Sequence, residues 1–388
     1  MAARLLYATG ARFGVTGLDL TSRQDLLAAH KAGVLGLGVG FANEQREVPG
    51  KYIRSLACHP VRLLSALSSE RYYGAKRRYA DWISSRELAS GSFTLFHGWS
   101  GDCLRSMIAA RQQGLATFLN IPTWHRNKGH NKPFETRTER ETRFSQTARG
   151  WRAWADRLPI DRQRTLLEYE LADRILVQST YAAETFLAEG IAPERIVCVA
   201  RGVDAHRYRP AEQPPEKFRA IFAGALIRRK GVHHILEAWH RLALKNAELV
   251  LVGAIHPEIE PALREFNSPS VIIKGFSRKL EDELRTASVF VFPSECEGWA
   301  KVTFEAMASG LPMIATRESG DSVIEGRTGY LVPANDVDAL AGALQRAWEN
   351  QDLLRTMGLH ARQRMVDGYT WEHYHQRLAA LWLAAARS

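Results

Sequence analysis

VFVFPSECEGWAKVTFEAMASGLPMIAT, residues 289–316, decides the fold. VFVF is apolar on both faces, as a strand buried between two layers must be. Pro293, Ser294 and Gly298 turn the chain, and helical periodicity begins near Ala300 or Lys301. The first N–H groups of such a helix have no intrahelical acceptor and form an anion site. Glu297 stands in the turn, and Glu305 follows about one turn into the helix. On one continuous helix, eight positions would set the two acids ~80° and ~12 Å apart. With Glu297 in the loop, both can instead border one ligand whose phosphate sits at the helix start. Carboxylates accept in pairs from vicinal hydroxyls, such as those of a ribose or a hexose. The plainer alternative is that both acids only complement the helix dipole.

Working outward, strand and helix patterns alternate along the chain, which argues for parallel sheets covered by helices. ARLLYATG (3–10), SFTLFHG (92–98), ATFLNI (116–121) and RILVQST (174–180) read as strands of a first block. TSRQDLLAAHKAG (21–33) and DCLRSMIAARQQG (102–114) read as helices between them. A second block begins at RAIFAG (219–224), after the proline-bearing RYRPAEQPPEKF (207–218), and continues through ELVLVG, SVIIKG and VFVFPS. These blocks define two domains, 1–204 and 205–369. The apolar period of WEHYHQRLAALWLAAARS gives a terminal helix, 370–388, expected to pack back on the first domain. Two doubly wound domains imply a central cleft lined by strand C-termini.

At 388 residues, with 45% hydrophobic and 24% charged content, the chain suits two globular domains and excludes a disordered one. Its longest apolar stretch, Gly33–Phe41, is too short to span a bilayer, and MAARLLYATG lacks the features of a secretory signal. Cys58, Cys103, Cys198 and Cys296 lie far apart with no CxxC spacing. A disulfide framework or structural metal is therefore not expected, and a cytoplasmic setting is. The net charge of +10 asks for an acidic partner: nucleic acid, anionic lipid or a phosphorylated small molecule.

The 289–316 stretch resembles the C-terminal signature of the GT-B glycosyltransferases of family 4, in which E-x7-E follows PS and precedes EAMA-G-P. Three further blocks match in order. ADRILVQSTYAAETFLAEGIAPERIVCVARGVD resembles the run into the domain junction, FAGALIRRKGVHHILEAW the G-x-L-x-x-x-K-G element, and GRTGYLVPANDVDALAGAL the G-x-L-V-P element. The resemblance is close from about Ala172 onward and loose before it.

It implies an α/β GT-B fold with two Rossmann-like doubly wound domains, and a retaining, metal-independent transferase that takes a nucleotide-sugar donor and no cofactor. By the same resemblance, Glu305 would hold ribose hydroxyls and Glu297 hydroxyls of the transferred sugar. The helix start, Gly298, Trp299, Ala300, Lys301 and Val302, would offer N–H groups to the diphosphate, and Lys230 would neutralise it. An arginine common in the family is replaced here by Ala225, and Arg229 is the residue able to supply its charge. Gly275 and Phe276 fall where the family passes its backbone along the base.

In the first domain, GARFGVTGLDLTS offers Gly10, Gly14 and Gly17 after the opening strand. Such a turn could bring amides near the phosphates, although a plain tight turn explains it equally well. His125 is the first choice for the family's functional histidine and His97 the second, with a plain structural role as the alternative for each. RYYGAKRRYADW (71–82) and the long polar stretch 128–152 belong to the acceptor domain. They could meet the anionic headgroups around a lipid-linked glycan acceptor, with peripheral contact at the inner membrane face, or be solvated surface. The rivals are a nucleotide-sugar hydrolase or epimerase on the same fold and a non-catalytic nucleic-acid binder. Against the latter, the basic residues are dispersed and no nucleic-acid motif is present.

Overall fold

In a computed structural model, residues 3–56, 69–128, 162–213 and 215–387 are described. Most of the polar 128–152 stretch lies outside them, as does Cys58. Within them Cys103, Cys198 and Cys296 are free thiols, and no helix is long and apolar enough to cross a membrane.

The chain divides into two compact units. The first comprises 1–177, 185–199 and 375–388, and the second 178–184 and 200–374. Residues 178–184, assigned to the first domain on sequence grounds, thus group with the second. The terminal helix divides at His375.

The first unit is a seven-stranded parallel sheet. Its strands are β1 (Leu5–Ala8), β2 (Leu35–Gly40), β3 (Ile53–Ser55), β4 (Leu95–Trp99), β5 (Ala116–Asn120), β6 (Arg174–Val177) and β7 (Ile196–Cys198), ordered β3-β2-β1-β4-β5-β6-β7. Its covering helices include α1 (Gly17–Lys31), α2 (Ser69–Ser90), α3 (Leu104–Gln112) and α4 (Arg162–Leu171). α5 (Thr180–Leu187) straddles the division between units. β1, LLYA, is buried along its whole length, as a strand covered on both faces requires.

Order reverses between β1 and β4, which pair in register from Leu5↔Leu95 to Ala8↔Gly98. This reversal is the topological switch point, and ligands of doubly wound sheets bind beyond the carboxyl ends of strands there. A buried polar knot braces it. Asp25 accepts from the Tyr7 hydroxyl (2.8 Å), Asn120 Nδ2 (2.9 Å) and Trp99 Nε1 (3.3 Å).

The second unit repeats the plan with six parallel strands. They are β8 (Phe218–Ala223), β9 (Ala247–Val252), β10 (Val271–Gly275), β11 (Val289–Phe292), β12 (Met313–Ala315) and β13 (Gly329–Leu331), ordered β10-β9-β8-β11-β12-β13. Its helices are α6 (Val232–Leu242), α7 (Glu260–Glu265), α8 (Leu280–Arg285), α9 (Lys301–Ala308), α10 (Val337–Glu349) and α11 (Gln351–Gly368). α12 (Trp371–Ala385) closes the chain. Here the switch point falls between β8 and β11, and Phe222 and Phe292 stack at its floor with centroids 5.5 Å apart. From His375 onward α12 belongs to the first unit, where Leu378 and Trp382 are fully buried and His375 Nε2 lies 2.8 Å from Gln24 Oε1.

Candidate donor site at the second switch point

The loop after β11 and the turn after β8 meet at this switch point. Gly231 has φ 71°, and a Cβ there would lie 2.3 Å from the Pro293 carbonyl oxygen. Only glycine allows both the left-handed backbone and that approach. Arg229 O accepts the Glu295 N–H (2.9 Å) and the Ser294 hydroxyl (3.3 Å), so the cationic turn is pinned to the acidic loop.

Lys230 Nζ lies 3.5 Å from Glu297 Oε1 and 5.2 Å from the centre of the Phe292 ring. The lysine crosses Gly224, whose Cβ would stand 3.2 Å from Nζ. Arg229 donates to Cys296 O and lies 3.3 Å from the same Glu297 oxygen. Burial, the largest influence, pushes the Cys296 thiol up to about 12, so it stays protonated. Two cations and one carboxylate therefore converge here, with Ala225 exposed beside them.

α9 begins at Lys301, and Ala300 is its N-cap in extended conformation. Not every amide of the expected donor set is available. Ala300 N–H donates to Ser319 O (3.1 Å) and Glu297 N–H to Glu318 O (2.9 Å), which leaves Lys301 and Val302 as first-turn donors without an i−4 carbonyl. Trp299 turns its ring into the core, against Phe304 (4.5 Å) and Tyr369 (5.3 Å), with the Arg364 guanidinium 5.5 Å away. Its indole packs the loop. Gly298 O accepts the Ser179 hydroxyl, and Asp321 takes the Thr180 amide (2.8 Å) and hydroxyl (2.6 Å). Residues 178–184 thus buttress the loop from behind.

Glu305 is 3% exposed. Its carboxylate takes Lys301 Nζ, one turn back, and acts on the nearby Tyr208 hydroxyl. Burial first, then that carboxylate, drive the Tyr208 pKa far above its usual value, so the phenol remains a donor. Tyr208 lies in the RYRP segment, where the sequence shows only a proline-bearing connection. At the end of β10, Gly275 has φ 68° with open space around it, and Phe276 is 78% exposed.

In the first unit, His125 is buried, with its ring 4.8 Å from Phe186 and 5.0 Å from Tyr169. Its Nδ1 accepts from Asn127 N–H (3.2 Å), so the neutral ring carries its proton on Nε2. Burial draws its pKa down to about 4, with Glu189 opposing. His97 lies inside β4 with no exposed surface, among Tyr7, Phe118 and Trp382. Burial lowers it to about 3. It is a core residue, unlike the functional histidine for which it is the second choice.

The glycine turn also departs from expectation. The amides of residues 10–14 are all engaged: Gly10 with Asp102 Oδ2 (2.8 Å), Ala11 with Thr9 Oγ1 (3.0 Å), Arg12 with Asp19 Oδ1 (2.9 Å), Phe13 with Ala42 O (2.8 Å) and Gly14 with Asp19 O (3.2 Å). Gly14 therefore offers no amide to a phosphate. Gly17 opens α1 at φ 55° with nothing near its Cα. Among the described residues, no three His, Cys, Asp or Glu gather to hold a metal.

Residues 217–350, which lie within the second unit, match the family model described as Glycosyl transferases group 1. The chain is 30% identical over 224 residues to the MMP alpha-(1->4)-mannosyltransferase of Mycolicibacterium hassiacum, covering 55% of this chain and 54% of that protein. It is 33% identical over 184 residues to a GDP-mannose-dependent alpha-mannosyltransferase of Mycobacterium tuberculosis, covering 44% and 46%. The chain thus spans about half the length of the curated relatives it matches. Among solved structures, it is similar to the sucrose-phosphate synthase of Thermosynechococcus elongatus, with TM-score 0.73, 21% identity and full coverage of both chains. It is also similar to HepE of Anabaena, solved in complex with UDP, with TM-score 0.69, 16% identity, and 98% and 100% coverage. The fold is GT-B.

Proposed function

We propose that this chain is a glycosyltransferase that moves a sugar from a nucleotide-sugar, a UDP- or GDP-sugar, to an acceptor hydroxyl in glycan assembly, with retention of anomeric configuration. The observation that carries this reading is the convergence of Lys230, Arg229 and Glu297 at the β8/β11 switch point, beside the open first turn of α9. A departing nucleoside diphosphate gains negative charge as the glycosidic bond breaks, and fixed cations and N–H groups stabilise that charge. Glu305 takes the ribose hydroxyls, Glu297 those of the transferred sugar, and the open backbone at Gly275 with Phe276 runs along the base.

In this reading the bond from the sugar's anomeric carbon to the phosphate oxygen breaks, and its electron pair stays on the diphosphate. The acceptor hydroxyl attacks the same face, and its proton passes to the leaving phosphate oxygen. His125, neutral with its proton on Nε2, is a hydrogen-bond donor and takes no proton. Lys230, Arg229 and the α9 amides do the charge work that a divalent ion does elsewhere, so activity is expected to survive chelation by EDTA. A cytoplasmic setting accords with the free thiols Cys103, Cys198 and Cys296.

The test is a thermal-shift screen of UDP-, GDP- and ADP-sugars, followed by product analysis by NMR with candidate acceptors. Stabilisation by one nucleotide class, and an axial or equatorial linkage matching the donor, is the expected result. Turnover of the donor at full rate without acceptor would make the chain a hydrolase, and a trapped covalent glycosyl-enzyme would remove the same-face step.

A further inference from the structure

The switch point of the first unit, between β1 and β4, carries a charge arrangement that the donor site does not explain. Lys76, on α2, is only 7% exposed, yet among the described residues its ammonium has no carboxylate within ion-pair reach and no hydrogen-bond acceptor. It rests instead over the rings of Phe41 (4.6 Å) and Tyr73 (5.7 Å). The neighbouring acids are already engaged. Asp102 takes Gly10 N–H and forms an ion pair with Arg77 Nε (3.1 Å), Asp19 takes Arg12 N–H, and Glu44 takes Arg12 Nη1 (3.2 Å). With its stem buried and its head over two rings, the ammonium keeps only part of its hydration, and cation–π contacts offset some of that loss. Burial accordingly lowers the Lys76 pKa, with Asp19 and Asp102 opposing and Arg12 and Arg77 adding to the fall.

These groups gather beyond the carboxyl ends of β1, β2 and β4, where a doubly wound sheet receives its ligand. Arg77 packs across Gly10, whose Cβ would stand 2.9 Å from the arginine Cγ. The amides of residues 10–14 are all committed, so none of them is free to meet an anion entering here. Tyr73, 53% exposed next to the ammonium, supplies an aromatic face suited to the apolar side of a sugar ring.

We propose that this switch point is a second ligand site, and that it binds a sugar bearing a phosphate or carboxylate, with the anion on Lys76, flanked by Arg12 and Arg77, and the ring against Tyr73. Its role as the acceptor site rests on the glycosyl-transfer reading above, whereas the anion binding does not.

The test uses the full chain with UDP or GDP at saturation, so that the donor site is filled. Inorganic phosphate, a hexose 1-phosphate, a hexuronate and the neutral hexose are titrated by calorimetry. The expected result is at least 10-fold tighter binding of one anionic sugar than of the neutral hexose, and which anionic sugar wins distinguishes phosphate from carboxylate. Lys76→Met should abolish that preference, and Lys76→Arg should restore part of it. Tyr73→Ala, at an exposed position, should weaken sugar phosphate while leaving inorganic phosphate unchanged. Equal affinity for the neutral hexose, absence of binding by either anionic sugar, or parental preference in Lys76→Met would each overturn the proposal. Anion preference that depends on Lys76, in a chain that binds neither UDP nor GDP, would refute the transferase reading and leave this one standing.

Discussion

Glu305→Gln separates a ligand-binding carboxylate from a merely structural one. The wild-type carboxylate is nearly sealed from water, takes Lys301 Nζ and lies near the Tyr208 hydroxyl. The amide keeps the shape but loses the charge. The Lys301 side chain is 31% exposed, so water replaces most of what that ammonium loses. The buried Tyr208 bond weakens from charge-assisted to neutral, and the fold should lose about 1–2 kcal/mol. If the same carboxylate also accepts two ribose hydroxyls, the nucleotide should lose about 1.5–3 kcal/mol, roughly 10- to 150-fold in Kd. Calorimetry with UDP and GDP reads the second quantity and urea denaturation the first. A Kd within twofold of the parent, alongside the expected loss of stability, would reduce Glu305 to an anchor for Lys301 and Tyr208. Tyr208→Phe is the companion variant, because it frees the carboxylate without removing it. Its nucleotide affinity should fall less than that of Glu305→Gln.

Three further outcomes follow from the geometry. Lys230→Met should lower kcat by about 10²-fold or more with little change in melting temperature, because the loss is of charge stabilisation in the transition state; near-parental kinetics would remove Lys230 from the diphosphate. Gly231→Ala should cost at least about 2 kcal/mol in urea denaturation, since φ 71° is strained for alanine and its Cβ meets the Pro293 carbonyl. A melting curve matching the parent would show that the turn relaxes freely. His97 has its folded pKa depressed to about 3, so its contribution to stability is fully present above the unfolded value near 6.5 and is lost as pH falls toward 3. Between pH 8 and pH 5 that loss is about 2 kcal/mol. His97→Leu should flatten the acid limb of the stability curve by that amount relative to the parent, and parallel limbs would refute it.

Much of the fold was legible because parallel strands buried on both faces are long apolar runs. VFVF, ELVLV and LLYA are read without knowing their neighbours, and strand–helix alternation leaves doubly wound sheets as the natural packing. The start of α9 was legible too, since Pro293, Ser294 and Gly298 are local turn chemistry. Which amides remain free after folding was not. Ala300 N–H is spent on Ser319 O, 19 residues away, and Gly14 N–H closes its own loop on Asp19. His97 shows the same limit, for a histidine at a strand end and one inside a sealed core look alike until Trp382 arrives from the chain terminus.

By itself, then, the sequence determined what depends on near neighbours: strand burial, helix starts, and the ordered blocks that mark the second unit. Tertiary structure alone decided which charges meet. Lys230 reaches Glu297 across 67 positions, Tyr208 nears Glu305 across 97, and Lys76 stands over aromatic rings while Asp19 binds the Arg12 amide and Asp102 pairs with Arg77. The physical reason is that hydrophobic periodicity is a local property of the chain. The pairing of a buried charge is set by every element packed around it.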